Sequence, residues 1–428
     1  MAAVNGLQTA ALTDVGMRRA TNQDSHALLL AETPEMFATR GHLLMVADGM
    51  GAHAAGELAS KLAADGVPHL YHKYREFSAP EALQRAIRET NTEINRRGTA
   101  SADFHNMGTT SSVLVLLPQG ALAAHVGDSR IYRLRGGTLS QLTFDHSLQW
   151  ELQASGQLPA GTDIAAVVPK NVITRSLGPN INVQVDLEGP HPIAPGDIYM
   201  LCSDGLTGRV EDAEIGAILS CLPPQEAAQS LVDLANLRGG PDNVTVLVAR
   251  IASKDLATGA THAEPLRIGA SSERPAAHPA TWIIGAVCLL IGIVLALTGR
   301  LIPAAVAVGI GAVAGLVGLV QRFGVAGGTV LGNGHMLGRG PYTSVACPPS
   351  HELALKLAAT LDELRSAARE GNWDINWKPL DDACRQAQSA DQAGNFADAV
   401  RHYCRGISYM MKQLRLQNVR HGDNSVHD

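Results

Sequence analysis

The sequence has few cysteines, and none of them belongs to a C-x-x-C pair. The six cysteines occupy positions 202, 221, 288, 347, 384 and 404, which lie far apart along the 428 residues. Structural zinc sites and small disulfide frameworks need closely spaced or paired cysteines. We therefore predict neither a zinc knuckle nor a disulfide framework, and the cysteine usage fits a reducing compartment.

An excess of basic residues is also missing. The chain carries 34 Lys and Arg against 40 Asp and Glu, which gives a formal net charge of -6, whereas nucleic-acid binding favours a basic surface. The N-terminal stretch lacks the basic region, apolar run and cleavage site of a secretory leader. We therefore predict no nucleic-acid partner and a cytoplasmic location for residues 1–250.

One stretch combines an apolar strand with a candidate metal ligand. Residues 43–47 are apolar and run directly into Asp48, which is followed by Gly49. A carboxylate at a strand end beside an accessible carbonyl supplies the oxygen ligands that Mg²⁺ and Mn²⁺ prefer. Taken alone, an Asp-Gly pair is more typical of an ordinary turn, so the interpretation depends on the remainder of the chain.

The same pattern recurs further along the sequence. Other aspartates beside apolar, strand-like segments are Asp24, Asp128, Asp204 and Asp242. Each one alone would suit a turn or a hairpin, but carboxylates collected without matching basic residues repel one another unless cations are present. We therefore predict at least two divalent ions. Such a pair of ions can activate a water and stabilise the oxygens at phosphorus, which is the chemistry of phosphate hydrolysis.

A basic residue precedes the first of these aspartates. Arg19 stands five residues before Asp24 in a segment predicted to be extended. Its planar guanidinium suits bidentate phosphate binding, and Asp24 could hold a metal-bound water. The alternative is a plain surface ion pair between these two side chains.

The hydrophobic pattern up to residue 253 predicts both helices and sheets. Apolar residues recur at helical spacing in 60–74 and 80–97, which indicates two helices. Short apolar segments joined by glycine turns at 108–117 and 121–134 favour antiparallel strands over repeated strand-helix-strand units. We therefore predict an α+β fold in which helices pack on antiparallel strands.

Several short motifs follow one another in a fixed order within about residues 7–252. They are Arg19-x-x-Asn22-Gln23-Asp24, Asp48-Gly-Met-Gly-x-His53, Gly108-Thr-Thr, Gly127-Asp-Ser-Arg130, Ser203-Asp-Gly205 and Asp242-Asn243. This series resembles the type 2C metal-dependent serine/threonine protein phosphatases, particularly their bacterial branch. The resemblance implies an α-β-β-α sandwich of two antiparallel sheets flanked by helices, with metal ions at one end. It also implies hydrolysis of phosphoserine and phosphothreonine by a water bridged between two Mn²⁺ or Mg²⁺ ions.

The resemblance further implies roles for individual residues. Asp48, Asp204 and Asp242 would bind one ion, and Asp48 together with the Gly49 carbonyl would bind the second. Asp128 and Asp204 would bind a weaker third ion. The expected cofactors are therefore two or three Mn²⁺ or Mg²⁺ ions.

Arg19 and Asp24 complete the implied site, because Arg19 would hold the substrate phosphate and Asp24 would act on a metal through a water. The sequence departs from the family pattern at two positions. Gln23 stands where many members have Glu, which would weaken the second metal. Met50 stands where eukaryotic members carry a histidine proposed as general acid, so the leaving group must be protonated by water or another group. His53 suits packing or helix capping as well as catalysis.

Two strongly apolar segments lie in the second half of the chain. Residues 282–297 and 301–320 are uncharged, and only residues 298–300 separate them. Each approaches the roughly 20 residues that cross a hydrocarbon core, so we predict a transmembrane helical hairpin at 281–321. Arginines are more frequent on its outer flanks than in its turn, which places both termini in the cytoplasm. A buried hairpin in a soluble protein is the alternative.

The remaining segments predict two linkers, a helical bundle and a tail. The linkers are residues 254–280 and the glycine-rich residues 322–350. Within 351–417, an apolar stripe and a helical pair around Gly394 resemble one tetratricopeptide unit, although such units normally occur in threes or more. We interpret this segment as a small all-α bundle that binds a protein partner, with a structural three-helix cap as the alternative. Residues 418–428 are predicted to be disordered.

Together these features predict a phosphatase domain at 1–253 that is anchored in the inner membrane and faces the cytoplasm. The expected partners are phosphoserine and phosphothreonine proteins, namely a cognate kinase or its substrates. One alternative is a pseudo-phosphatase that binds partners through its phosphatase fold and C-terminal bundle. Another is a regulatory phosphatase that acts on a single phosphorylated partner of the anti-sigma-antagonist type.

Overall fold

The structure, a computed structural model, describes residues 6–52, 54–156, 168–169, 172–261, 263–268, 279–323, 329–331 and 335–424. His53 lies outside the described residues. The chain forms two compact units. The first consists of residues 1–75, 82–265 and 332–428, and the second of residues 76–81 and 266–331.

Two antiparallel sheets form the centre of the first unit. In order across the first sheet, the strands are β1 (Leu7–Asp14), β11 (Val244–Ile251), β10 (Ile198–Cys202), β7 (Arg130–Arg135), β8 (Thr138–Gln141) and β14 (Thr343–Ala346). Across the second they are β2 (Asp24–Leu29), β3 (His42–Met50), β5 (Ser111–Leu117), β6 (Gly120–Val126) and β9 (Asp186–His191), with β4 (Gly108–Thr109) paired to the end of β3.

An apolar core fills the space between the sheets. Leu44 on β3 and Leu114 on β5 share one buried cluster with Leu201 on β10 and Leu247 on β11. The central strands are apolar on both faces because the opposite sheet covers one face and helices cover the other. The predicted pairing of antiparallel sheets is confirmed for this part of the chain.

Helices flank the two sheets. They are α1 (Pro34–Arg40), α2 (Ala55–Lys73), α3 (Ala79–Ala100), α4 (Leu148–Ser155), α5 (Asp204–Thr207), α6 (Asp212–Cys221) and α7 (Pro224–Leu237). Helix α2 packs on β2 and β3, whereas α7 packs on β1 and β11. The helices predicted at 60–74 and 80–97 correspond to α2 and α3, and Leu83, Ile87 and Ile94 of α3 are fully buried. The layers therefore follow the predicted α-β-β-α order.

The second unit holds the apolar segment that was predicted to cross a membrane. It contains α8 (Pro279–Leu297) and α9 (Leu301–Phe323), which pack on each other, and the paired strands β12 (Arg267–Ile268) and β13 (Thr329–Val330). A membrane span takes about 20 consecutive apolar residues in one helix. Within the described parts of the chain, no helix has the combined length and apolarity to cross a bilayer. The predicted transmembrane hairpin at 281–321, and the membrane location with both termini cytoplasmic, are therefore wrong.

The C-terminal bundle belongs to the first unit. Its helices are α10 (His351–Glu370), α11 (Lys378–Gln392) and α12 (Phe396–Asn424). The predicted apolar stripe on α10 is buried, and its members are Leu353, Leu357, Leu361, Leu364 and Ala368. One cluster joins Leu357 of α10 and Met410 of α12 to Leu231 of α7, so the bundle packs its apolar face against its own phosphatase part.

Two further features tie the C-terminal region to the fold. Strand β14 pairs with the edge strand β8, which covers backbone groups that would otherwise be open at that edge. Helix α12 continues to Asn424. Residues 418–424 are therefore helical, where the sequence pattern predicted the start of a disordered tail.

Candidate active site

The pairing of β2 with β3 brings two of the predicted site residues together. Asp24, the first residue of β2, lies directly opposite Asp48 near the end of β3. Thr110 fixes the backbone of Asp48 on the other side, because its Oγ1 accepts from the Asp48 N–H at 2.8 Å and its own N–H donates to the Asp48 carbonyl at 2.9 Å. Thr109 Oγ1 also donates to that carbonyl, at 3.0 Å. The Gly108-Thr-Thr motif therefore positions Asp48, a role that the sequence pattern does not indicate.

Asp24 is buried beside Asp48, its partner on the neighbouring strand. Its Oδ2 accepts hydrogen bonds from Ser203 Oγ and Thr245 Oγ1, both at 2.7 Å. Its Oδ1 is buried and finds no hydrogen-bond partner among the residues that the structure describes. Burial is the main cause that raises the pKa of Asp24 to about 7, and the negative charges of Asp204 and Asp242 add to it.

Asp204 and Asp242 approach Asp48 from the first sheet. Asp204 is the first residue of α5, two residues after the end of β10, and its charge contributes to the raised pKa of Asp48. Asp242 stands just before β11. A Cβ at Gly205 would lie 2.0 Å from the Asn243 carbonyl oxygen, so only glycine allows α5 to begin this close to the segment that carries Asp242.

The loop between β1 and β2, here called the Arg19 loop (residues 15–23), carries the predicted phosphate ligand. Arg19 is about half exposed, and its Nη2 donates to Asp242 Oδ2 at 2.8 Å. Arg19 therefore does form an ion pair, which was the alternative prediction, but its partner is Asp242 instead of Asp24. Because the guanidinium remains accessible, it can also meet a phosphate group.

Asn243 holds both ends of the Arg19 loop. Its Nδ2 donates to the carbonyl oxygens of Val15 at 2.9 Å and Thr21 at 3.0 Å. Its Oδ1 accepts from the Gln23 N–H at 2.8 Å, and the Gln23 carbonyl in turn accepts from the Gly49 N–H at 3.1 Å. Asn243 was noted in the sequence only as the neighbour of Asp242, and its loop-anchoring contacts depend on residues more than 200 positions away.

Asp128 lies at the edge of the same acidic cluster. Burial and the charges of Asp204 and Asp145 raise its pKa to about 7, and its Oδ1 is buried without a described hydrogen-bond partner. A cavity of about 210 Å³ opens beside it, and Arg130, Trp150 and Asp204 are among the residues that line it. Arg130 is committed to Asp145, with which it pairs at 2.7 Å.

The five predicted aspartates therefore meet at one end of the sandwich. The pKa of Asp48 is raised well above its usual range, first by burial and then by the charges of Asp24, Asp204, Asp128 and Asp242. The pKa of Asp204 is also raised, first by burial and then by Asp242. The pKa values of Asp24, Asp48, Asp128 and Asp204 are thus raised, first by burial and then by neighbouring carboxylates, which is the electrostatic situation that a bound cation relieves.

The side chains are not arranged as a closed metal cage. Among the described residues, no three His, Cys, Asp or Glu side chains converge as a ready metal site. Asp242 is turned toward Arg19, with which it is paired at 2.8 Å. The acidic cluster and its two unpartnered oxygens nevertheless fit divalent cations, since oxygen-rich donor sets of this kind suit Mg²⁺ and Mn²⁺.

Comparison with known proteins agrees with this geometry. Residues 18–154 match the family described as Protein phosphatase 2C. The chain is 35% identical over 260 residues to the protein phosphatase PhpP of Streptococcus pneumoniae. The aligned region covers 58% of this chain and 99% of that protein.

Solved structures extend the similarity to the fold. The serine/threonine phosphatase of S. agalactiae matches with a TM-score of 0.51 and 35% identity, over 57% of this chain and 99% of that one. PstP/Ppp of Mycobacterium tuberculosis matches with a TM-score of 0.50 and 35% identity, over 58% of this chain and 99% of that one. The chain therefore belongs to the protein phosphatase 2C family and is a protein serine/threonine phosphatase.

Proposed function

We propose that this protein hydrolyses phosphoserine and phosphothreonine on protein substrates with the help of two divalent ions, Mn²⁺ or Mg²⁺. Asp48, Asp204 and Asp242 would hold one ion, and Asp48 with the Gly49 carbonyl the other. A third ion would be held by Asp128 with Asp204. The observation that carries the proposal is the cluster of aspartates around Asp48, in which Asp24 lies opposite Asp48 and both Asp24 and Asp128 keep a buried oxygen without a described hydrogen-bond partner. When bound, such ions supply an activated water near neutral pH and offset the charge of the phosphate oxygens.

The residues around the ions have separate tasks in this proposal. Arg19 binds the substrate phosphate by exchanging its bond to Asp242 for bonds to phosphate oxygens, which its planar guanidinium can meet in pairs. Asp24, held by the hydroxyl groups of Ser203 and Thr245, acts on a metal through a water.

The leaving oxygen needs a proton that Met50 cannot supply. Met50 is the last residue of β3, and its thioether carries no acidic proton. His53 lies outside the described residues. Asp24 and Asp128 are assigned to the metals in this proposal, so water or another group protonates the leaving alkoxide.

A pseudo-phosphatase scaffold is the competing function. Gln23 favours it, because a neutral side chain replaces the Glu found in many family members. The presence of Asp48, Asp204 and Asp242 in one cluster favours catalysis instead. An active phosphatase could act on a cognate kinase and its targets or on a single regulatory partner. These two alternatives share the same chemistry and differ only in the range of substrates.

The test is hydrolysis of p-nitrophenyl phosphate and a phosphothreonine peptide by the full chain, with Mn²⁺, with Mg²⁺ and with EDTA. The exposed Asp65 on α2 supplies a matched control. Metal-dependent turnover that disappears in Asp48→Asn and persists in Asp65→Asn supports the proposal. A folded, metal-supplied wild-type protein without turnover would favour the scaffold.

A further inference from the structure

The last helix of the chain reaches the base of the Arg19 loop. Arg415 of α12 donates from Nη2 to Asp14 Oδ2 at 3.2 Å and to Asp233 Oδ1 at 3.1 Å. Asp14 ends β1, and Asp233 lies on α7. One cation of the C-terminal bundle therefore bridges two carboxylates of the phosphatase part, over a sequence separation of 401 residues for Asp14.

Asp14 determines how the Arg19 loop leaves β1. Its Oδ1 accepts from the Gly16 N–H at 2.9 Å and from Asn236 Nδ2 at 3.0 Å. The next residue, Met17, donates its N–H to the Gly240 carbonyl at 2.8 Å. The carboxylate of Asp14 thus closes the first turn of the loop with one oxygen and receives Arg415 with the other.

Asp233 makes the bridge electrostatically important. Its side chain is fully buried, and besides Arg415 its Oδ1 accepts from Gln229 Nε2 at 3.0 Å. Burial raises its pKa to about 6, the charge of Arg415 lowers it and the charge of Asp14 raises it. Without Arg415, Asp14 and Asp233 would face each other with no guanidinium between them. Their repulsion would oppose the remaining bond from Asn236 of α7 to Asp14 and loosen the base of the Arg19 loop.

We propose that Arg415 is a positioning residue for substrate binding: through Asp14 it holds the Arg19 loop, so that the C-terminal bundle sets the affinity of the active site for phosphorylated substrates. The inference rests on the proposed role of Arg19 in binding the substrate phosphate. It gives the bundle a task within the chain that is independent of any external partner.

A second arginine of α12 provides a matched control. Arg405 pairs with Glu226 at 2.7 Å, again between α12 and α7. Glu226 lies seven residues before Asp233 on α7, a distance of about 10 Å along the helix axis. Arg405→Ala therefore removes an ion pair from the same helix interface without touching Asp14.

The experiment compares kcat and KM of the full chain for a phosphothreonine peptide. We expect Arg415→Ala to raise KM about threefold to tenfold, in the range typical for couplings of this kind, with kcat within about twofold of wild type. Arg415→Lys, which keeps the charge, should recover at least half of the lost affinity, and Arg405→Ala should leave KM unchanged. An unchanged KM in Arg415→Ala, or the same increase in Arg405→Ala, overturns the inference.

A double-mutant comparison tests whether Arg415 acts through Arg19. In an Arg19→Ala background, Arg415→Ala should raise KM no further, and independent, additive increases would overturn the inference. If Arg19→Ala alone leaves KM unchanged, the proposed role of Arg19 is wrong and the inference is wrong with it. If Arg19→Ala raises KM but Arg415→Ala does not, only the inference about Arg415 is wrong. Should Arg415→Ala not fold, Arg415→Gln, which keeps most of the side chain but removes the charge that separates Asp14 from Asp233, must give the same rise in KM.

Discussion

Arg19 and Asp242 are ion-paired at 2.8 Å, although 223 residues separate them in the chain. The residue expected to bind the substrate phosphate is thus bonded to a residue expected to bind metal. In the proposed function, a metal bound by Asp242 would compete with this ion pair and leave the guanidinium available to a phosphate. The proposal therefore links metal binding and phosphate binding through one contact.

Replacement of Arg19 should mainly weaken substrate binding. Hydrogen bonds to a charged group contribute about 1.5–3 kcal/mol, so we expect Arg19→Ala to raise KM for a phosphothreonine peptide at least about tenfold. Arg19→Lys should recover only part of the loss, because a lysine cannot bind two phosphate oxygens in one plane. Steady-state kinetics of the two variants, with the exposed Arg96→Ala on α3 as control, measures this, and equal KM values in all three would contradict it.

Asp204→Asn should abolish turnover without unfolding the protein. The pKa of Asp204 is raised, first by burial and then by the charge of Asp242. The substitution removes one of several repelling charges, so the melting temperature in EDTA should equal or exceed that of wild type. The stabilisation that excess Mn²⁺ gives the wild type should be lost. Turnover at the wild-type rate would reject Asp204 as a metal ligand.

The metal-free protein should be less stable at alkaline than at mildly acidic pH. The pKa values of Asp24 and Asp128 are raised to about 7 in the folded protein, so the folded state binds these protons more tightly than the unfolded state does. The resulting stability is complete below about pH 4 and is lost as the pH rises through about 7. In EDTA the melting temperature should fall between about pH 6 and pH 8, and the fall should be smaller in Asp24→Asn. A flat profile, or an equal fall in this variant, would argue against the shifted pKa values.

Thr110→Val should loosen Asp48 without removing a charge. The change keeps the shape of the side chain but deprives the Asp48 N–H of its acceptor at 2.8 Å and Ser129 Oγ of a partner at 2.7 Å. A buried donor without a partner costs about 1–3 kcal/mol, so we expect denaturant unfolding to show a loss of this size together with lower turnover. Thr92→Val on the exposed face of α3 is the control and should change neither the free energy of unfolding nor the turnover appreciably.

The bundle and the phosphatase part should unfold together. Leu357 on α10 is buried in the cluster that also contains Leu231 of α7, whereas Leu355 on the same helix is about half exposed. Leu357→Ala should cost about 2–5 kcal/mol and should lower the transition of both parts, monitored by activity and by circular dichroism. Leu355→Ala should change little. A bundle that melts separately at lower temperature, with the active site intact, would show that the shared core is not cooperative.

The helices, the strands and the acidic residues of the site could be predicted because their signals are local. The spacing of Leu83, Ile87 and Ile94 indicates the buried face of α3. An apolar run that leads into Asp48 and Gly49 indicates a strand that ends at a site. The supporting contacts could not be predicted in this way. Ser203, which precedes α5, and Thr245 on β11 donate to Asp24, although the sequence does not mark either segment as its neighbour.

The apolar segments show the limit of composition as a guide. Residues 282–297 and 301–320 gave a clear hydropathy signal, yet the described helices do not meet the requirements for crossing a membrane. The stripe on α10 was interpreted as one face of a bundle that binds a protein partner. In the structure α10 packs on α12, and α12 packs on α6 and α7 of the same chain. An apolar face is recognisable in the sequence, whereas the surface that covers it is not.

By itself, the sequence determined that this protein carries the carboxylates and the arginine of a type 2C phosphatase, since motif order and residue chemistry are properties of the chain. Only the tertiary structure decided that Arg19 pairs with Asp242, that Thr110 and Asn243 hold the site, and that Arg415 reaches Asp14. These contacts join residues from distant parts of the chain, and the strand register and helix packing that create them arise from the core as a whole.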